Sequence, residues 1–594
     1  MGFVGGASVA NLANTETGGA SSVVASVTST LGYGLGVAGR GVVDLYATAF
    51  SPLSLFSDGS QGVWYDDSNN DTLFLDAAGT TVTALESPVG LQLDLSQGLA
   101  LGSELCTDTG FNNPGSWSST SGWVVSGGVA TGTATVGYLS QSIASVVAGN
   151  YYECTVTITT YGSGSLQFFA GNIGTARSLS MSAAGTYTLR VDANSTGTLG
   201  VVGTLFTGVI DNISFKQVLG NHRFQTTNAN RPTLSARYNL LTKTEQFDNA
   251  VWTKANVTIV ANAAVAPDGT TTADKIYPNT TGTNRFIYQA LSLASGLYKW
   301  SFRAKAAEKT IAYIDFTGAG TTQAFFNLTT GAVGTVAAGY AATITSLGDG
   351  WYECSGTNNT ASTYSFGGVY GVADANGSTT VTANGTDGIY IWGADLRPAN
   401  QATGLIPTYQ RVDTSSVYDT VGFPQYLKYT SNQWLQTASV NFTATAQMSA
   451  FSGVRKTSAT EGIIAVLGTS LTSNGNFFLD EQSTAYQFSS KGTTQAGPTS
   501  AASYPSPETA TLALLASISA PSIVGNRNGT QIVSSTATQG TGNYSNSPFY
   551  FGSNAGSTLY FNGYEFQTII VGKTLTATEI ANTETYVNSK TKAY

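Results

Sequence analysis

From residue 50 to the C-terminus, apolar side chains recur with a period of two, in short runs closed by glycine, asparagine or proline. "GNYYECTVTI" (149–158), "SGLYKWSFRAK" (295–305) and "PFYFGSNAGSTLYFNGYEFQTIIVG" (548–572) are examples. That period places alternate side chains on opposite faces of a strand. Asn528-Gly529, inside "IVGNRNGTQIVSS" (523–535), marks a type I′ hairpin. A helical period is clear only in the closing "TLTATEIANTETYVNSKTKAY". There Thr576 and Glu579 form a capping box, and Ile580 and Val587 share one face. Such a chain is predicted to be all-β, built from several sandwiches with one short C-terminal helix.

Several sandwiches are needed because the chain has 594 residues, and single cores rarely exceed about 250–300. Charged residues are only 10% of the total, yet there are 30 Tyr, 27 Phe and 8 Trp. That aromatic content excludes disorder and supplies several cores under a surface of hydroxyls and amides. Residues 1–215 carry three basic side chains, Arg40, Arg177 and Arg190, against 14 acidic ones; the remainder is almost neutral. No basic stripe exists for a phosphate backbone, so nucleic acid is excluded as a partner. No run is long and apolar enough for a membrane helix, and the N-terminus lacks the basic region of a secretory signal. Cys106, Cys154 and Cys354 have neither zinc nor scaffold spacing. Cys106 and Cys154 could pair, but all three read as free buried thiols.

Catalytic signatures are missing. There is no GxSxG elbow, no HExxH, no phosphate loop, and His222 is the sole histidine. A lone histidine of this kind reads as structural. A glycosidase carboxylate pair is the one enzyme class left open, but Glu153, Glu353 and Glu565 lie in strand patterns and read as edge or surface residues. The acidic group Asp66, Asp67, Asp71 and Asp76 lacks EF-hand spacing and reads as a solvated turn. The chain is therefore expected not to be an enzyme and to need no cofactor.

Two stretches are variants of one pattern. In one, "YLSQSI" precedes the strand at Tyr151; in the other, "IYQALSL" precedes the strand at Tyr298. Gln141 and Gln289 hold matching places, and each unit opens with aromatic-rich loops containing Trp117 and Trp123, or Trp252. Exposed, these tryptophans would offer a stacking face to a sugar ring; buried, they would plug the ends of their sandwiches. They are the candidate glycan-binding residues.

The segment "LGNHRFQTTNANRPTLSARYN" (219–239) reads as the continuation of something begun earlier. Residues 55–98, through "DGSQGVWYDDS" and "TLFLDAAGTTVTALESPVGLQLDLS", resemble the start of bacteriophage virion proteins with a concanavalin A-like (laminin-G-like) jelly roll. In those, a Gly-Asn-His segment and an "RPTL" turn lead directly into a strand pair similar to "YLKYTSNQWLQT" (426–437). The ending "NGYEFQTIIVGKTLTATEIANTETYVNSKT" is similar to that fold's last strand and closing helix. Segment 104–218, with "AGTYTL" and "GVIDNIS", resembles carbohydrate-binding-module-like jelly rolls of phage tail proteins, and 239–412 resembles another phage jelly roll.

The resemblance implies one lectin-like sandwich interrupted twice, at loop tips that tolerate insertion. The expected parts are 50–98, 219–238 and 418–594 for that sandwich, with inserted jelly rolls at 102–218 and 239–412. Residues 1–49, rich in Gly, Ala and Ser, form either a flexible tail or an anchor to other virion proteins. The implied function is non-enzymatic: a tail-fibre or appendage protein on the virion exterior, a homo-oligomer adhering to host-surface carbohydrate. Capsid decoration, or a head fibre, is the alternative placement, and glycan degradation the alternative chemistry. Asp211 and Asn212 occupy a strand end where such modules often hold calcium, but the pair itself reads as a structural turn.

Overall fold

Alternating apolar residues form a sheet face only when partners cover them, and here the partners come from distant parts of the chain. The computed structural model describes residues 50–594, except 121, 319–321 and 400–403; the tail-or-anchor reading of residues 1–49 lies outside the described residues. The interrupted sandwich consists of two nine-stranded sheets. One is centred on Gly563–Val571, which pairs with Gly62–Asp66, Tyr426–Tyr429 and Gln447–Lys456. The other includes Leu91–Gln92, Arg223–Phe224, Leu435–Asn441 and Asn546–Phe551 in adjacent positions. Their inner faces enclose a core that includes Val63, Leu73, Leu234, Leu427, Phe488 and Phe551.

The Gly-Asn-His stretch joins both sheets. Arg223–Phe224 pairs with Leu91–Gln92 on one side and Leu435–Asn441 on the other. Thr233–Ser235 lies between Ser87–Pro88 and Tyr426–Tyr429. Between these parts of the chain, residues 101–218 form their own eight-stranded sheet, dominated by Tyr151–Ala170 and Thr198–Val218. Two six-stranded sheets between residues 253 and 398 close around Trp300, Phe302, Tyr370 and Leu396.

Local signals act where they were expected. Asn528 and Gly529 both take positive φ, 51° and 70°, in the two-residue loop that pairs Arg527 with Thr530. The helix Ala577–Thr591 has both halves of its capping box. It buries Val587, and Gly453 on the sheet beneath leaves room for it, since a Cβ there would lie 1.9 Å from Thr591 Oγ1. The three cysteines are buried free thiols.

His222 is held as a neutral imidazole. Its Nδ1 accepts from the Asp94 backbone N–H at 2.9 Å, so the proton sits on Nε2, which faces the Val218 carbonyl at 3.1 Å. Asp94 in turn accepts from the Trp64, Ser96 and Asn221 backbone N–H groups. Burial pushes the imidazole down to about 4. The folded value lies below the unfolded one, so this contribution is complete above about pH 6.5 and is lost as pH falls through 4. Its size is about 3 kcal/mol. His222→Gln keeps an acceptor and a donor without titrating. Its denaturation midpoint is therefore expected to stay flatter across pH 4–6.5 than that of the unaltered protein.

Two sequence readings need correction. The acidic group is a solvated turn only in part: Asp71 is exposed and Asp76 half-buried, but Asp67 is fully buried, and Asp66 is buried and pairs with Lys590 at 2.9 Å. Glu565 and Glu353 are not surface residues. Glu565 is 2% exposed and pairs with Arg223 at 2.8 Å; Glu353 pairs with Arg303 at 2.6 Å. In each case a buried arginine holds the carboxylate in the interior, a partnership between residues distant in sequence. Glu153 is half-buried, 3.5 Å from Arg190.

Candidate functional site

The tryptophans proposed for sugar stacking lie in the cores, with Trp117 8%, Trp123 6% and Trp252 1% exposed. Trp117 packs on Phe111 with ring centroids 4.8 Å apart and donates from Nε1 to Asp108. Trp252 packs on Phe247 at 5.0 Å and donates to the Lys243 carbonyl. Trp123 stacks on Phe206 and donates to the Gly137 carbonyl. So little surface remains on these rings that a pyranose has nothing to stack on.

The repeat has a structural basis in the same loops. Gln141 accepts from the Thr107 N–H, and Gln289 from the Thr242 N–H. Each glutamine thus fastens a loop that delivers a Phe–Trp pair to the end of its sandwich. The signal is readable in the sequence as "TDTGFNNPGSW" (107–117) beside "TKTEQFDNAVW" (242–252). Its meaning is structural: a threonine to bind the glutamine, then two aromatics to close the core.

A cleft of about 310 Å³ opens elsewhere, where residues 292–298 and Pro398 face the interrupted sandwich. One wall comes from the end of strand Phe286–Gly296 and the start of Tyr298–Ala306; the other from Lys428, Thr457, Asn562 and Tyr564. Arg455, 2% exposed, bolts the two together by donating to the Pro398 and Ala399 carbonyls at 3.2 and 2.8 Å. The Tyr564 ring is held flat by Tyr426, with centroids 4.0 Å apart and planes 11° apart. Tyr298 is fixed by donating to the Ala294 carbonyl at 2.8 Å.

The lining combines apolar and aromatic walls with polar groups still free to bind. The Lys428 ammonium and the Ser295 and Thr430 hydroxyls have no hydrogen-bond or ion-pair partner among the described residues. All three residues are exposed. Among the described residues the cleft contains no carboxylate, imidazole or thiol, which are the groups general acid–base chemistry most often uses. None of its residues stood out in the sequence, because they come from seven separate strands or strand ends.

Asp211 and Asn212, the suggested calcium position, hydrogen-bond to each other at the surface. Among the described residues no group of three or more His, Cys, Asp or Glu side chains is placed to hold a metal ion.

No protein-family model and no curated protein matches the chain. Among solved structures it is similar to a heptameric SAP-like pentraxin from Limulus polyphemus, at 10% identity and TM-score 0.22. That match covers 25% of this chain and 73% of the pentraxin. Domains LG4-5 of the mouse laminin alpha1 chain match at 13% identity and TM-score 0.21, covering 50% of this chain and 88% of theirs. A Trypanosoma rangeli sialidase matches at 9% identity and TM-score 0.21, covering 90% and 99%. At such scores these likenesses carry no weight for function.

Proposed function

We propose that this chain is a non-enzymatic structural protein of a bacteriophage virion. In this reading it is a tail-fibre or appendage component that adheres to host-surface glycans, with the cleft at Tyr298, Lys428 and Tyr564 as a glycan subsite. The observation that carries the binding role is the cleft itself: about 310 Å³, apolar and aromatic in its walls, with unpartnered hydroxyls and one ammonium on its rim. A sugar ring needs that combination, an apolar face to cover and a few convergent polar groups to orient it. The virion role is supported by the resemblance of residues 50–594 to phage jelly-roll proteins and by the sparsely charged, hydroxyl-rich composition. Weak binding at one site suffices, because copies repeated on a particle raise avidity by roughly 10²–10⁴.

Ala294 lines the cleft and is exposed, so Ala294→Trp fills it without touching a core. Binding to immobilised host-surface polysaccharide is expected to fall at least tenfold in this variant and severalfold in Lys428→Ala, with unfolding midpoints unchanged. Unaltered binding in both variants removes the cleft from the reading. Imaging the labelled protein on purified particles separates a tail position from a capsid one; its absence from particles ends the virion reading.

A further inference from the structure

Among the described residues, Lys428 is the only charged side chain that lines the cleft between residues 292–298 and the interrupted sandwich. Alternation along Tyr426–Tyr429 puts Tyr426 and Lys428 on one face of the strand, and Thr430 lines the cleft beside them. In register, Lys428 stands between Thr233 on one neighbouring strand and Tyr564 on the other. Its ammonium thus faces hydroxyls and an aromatic ring, and it pairs with no carboxylate among the described residues.

The acids of this region are engaged elsewhere. Glu565 adjoins Tyr564, but successive side chains of a strand point to opposite faces, and Glu565 is buried inside the sandwich on Arg223. Glu86 does reach the outer face, where its Oε1 accepts from the Ser235 and Tyr418 hydroxyls. Ser235 is the cross-strand partner of Tyr426, so Glu86 lies at the end of the strand away from Thr430. The cleft therefore presents a cation on a chain whose net charge is −9. An anionic polymer is repelled by that net charge and attracted at this one place, which favours docking in a single position.

We infer that the cleft takes an anionic sugar, a pyranose whose carboxylate or sulfate meets the Lys428 ammonium while its ring lies against the apolar and aromatic wall. This rests on the reading of the cleft as a glycan subsite, and it names the class of glycan. A neutral sugar hydroxyl only replaces one water on the ammonium, whereas an anion forms a charge-assisted hydrogen bond about twice as strong. An ammonium is a compact point charge with three donors and does not choose among anions by shape. The chemistry shared by the two substituents is therefore negative charge on the ring. The Ser295 and Thr430 hydroxyls, also without partners, remain for the neutral hydroxyls of the same ring.

The test is binding of the full-length chain to an array of oligosaccharides in matched pairs. Carboxylated members stand beside their carboxyl-reduced alcohols, and sulfated members beside their desulfated forms. Anionic members are expected to bind about three- to tenfold more tightly than their neutral partners, and the two kinds of pair show which anion is preferred. Lys428→Glu should erase the preference and Lys428→Arg should keep it. Neither should move the unfolding midpoint, because Lys428 is exposed and its cross-strand neighbours are uncharged. Equal binding of neutral and anionic members, or a preference that survives Lys428→Glu, overturns the inference. The cleft's glycan reading then still stands if Ala294→Trp blocks that binding. Binding to no member of the array overturns both.

Discussion

Arg223→Met is expected to destabilise the interrupted sandwich by about 3–5 kcal/mol, the cost of stranding a buried carboxylate. Arg223 is fully buried and donates from Nη1 to both Glu565 oxygens at 2.8 and 3.0 Å, from Nη2 to Asp67 at 3.1 Å, and from Nε to Gln92 at 2.8 Å. Its guanidinium also lies over the Tyr65 and Phe551 rings, 4.4 and 4.9 Å from their centroids. Burial, reinforced by Glu565, holds Asp67 well above the usual carboxylate range. The balanced form is thus one arginine cation against the Glu565 anion. Adding Glu565→Gln to Arg223→Met should recover part of the loss, because no charge is then left behind. Urea midpoints of the single and double variants provide the check, and an unchanged midpoint in Arg223→Met would refute the network's role.

The second large effect has the opposite sign. Asp480 is 0% exposed on the face of its strand away from Glu481; Oδ2 accepts from Gln482 at 3.1 Å and Oδ1 has no partner. Burial, with Glu461 nearby, pushes its carboxyl up to about 8. The folded value here lies above the unfolded one. Stability is therefore greatest below about pH 4 and is lost as pH rises toward 8, by roughly 3–5 kcal/mol. Asp480→Asn should leave the protein unchanged near pH 4 and stabilise it by that amount at pH 8, measured as the shift in denaturation midpoint. This slope opposes that of His222 between pH 4 and 6.5, so the histidine effect is cleanest when measured in the Asp480→Asn background.

What could be read from the sequence depended on the range of the interaction. The all-β class, the Asn528-Gly529 hairpin and the Thr576–Glu579 cap are encoded within a few residues, and the structure shows each of them. The grouping of residues 50–98, 219–238 and 418–594 into one sandwich was an expectation from the resemblance of separated pieces, with no local pattern to carry it. Burial of Asp67 and Glu565 was not legible, since each is kept inside by Arg223, which lies in a different segment. The tryptophans were ambiguous for another reason: a ring in a Gly/Ser-rich loop looks alike from sequence whether it faces solvent or plugs a core. What decides is Phe111 or Phe247 a few residues earlier, stacked beneath the indole. The cleft carried no local signal, because folding alone brings Tyr298 beside Lys428 and Tyr564.

The pairing of Gly62–Asp66 with Gly563–Val571 also sets a timetable. During synthesis the first strand leaves the ribosome and must wait for its partner while the intervening chain is made, roughly 25–100 s at typical elongation rates. Over that interval the sheets between residues 101 and 398 have all their strands available and can close, whereas the outer sandwich has only fragments with exposed edges. The nascent protein thus carries finished units within an unfinished frame. Chaperone demand should fall on that frame and end only when the last sixty or so residues emerge. Slowing elongation after residue 398 should therefore lower soluble yield more than slowing it before.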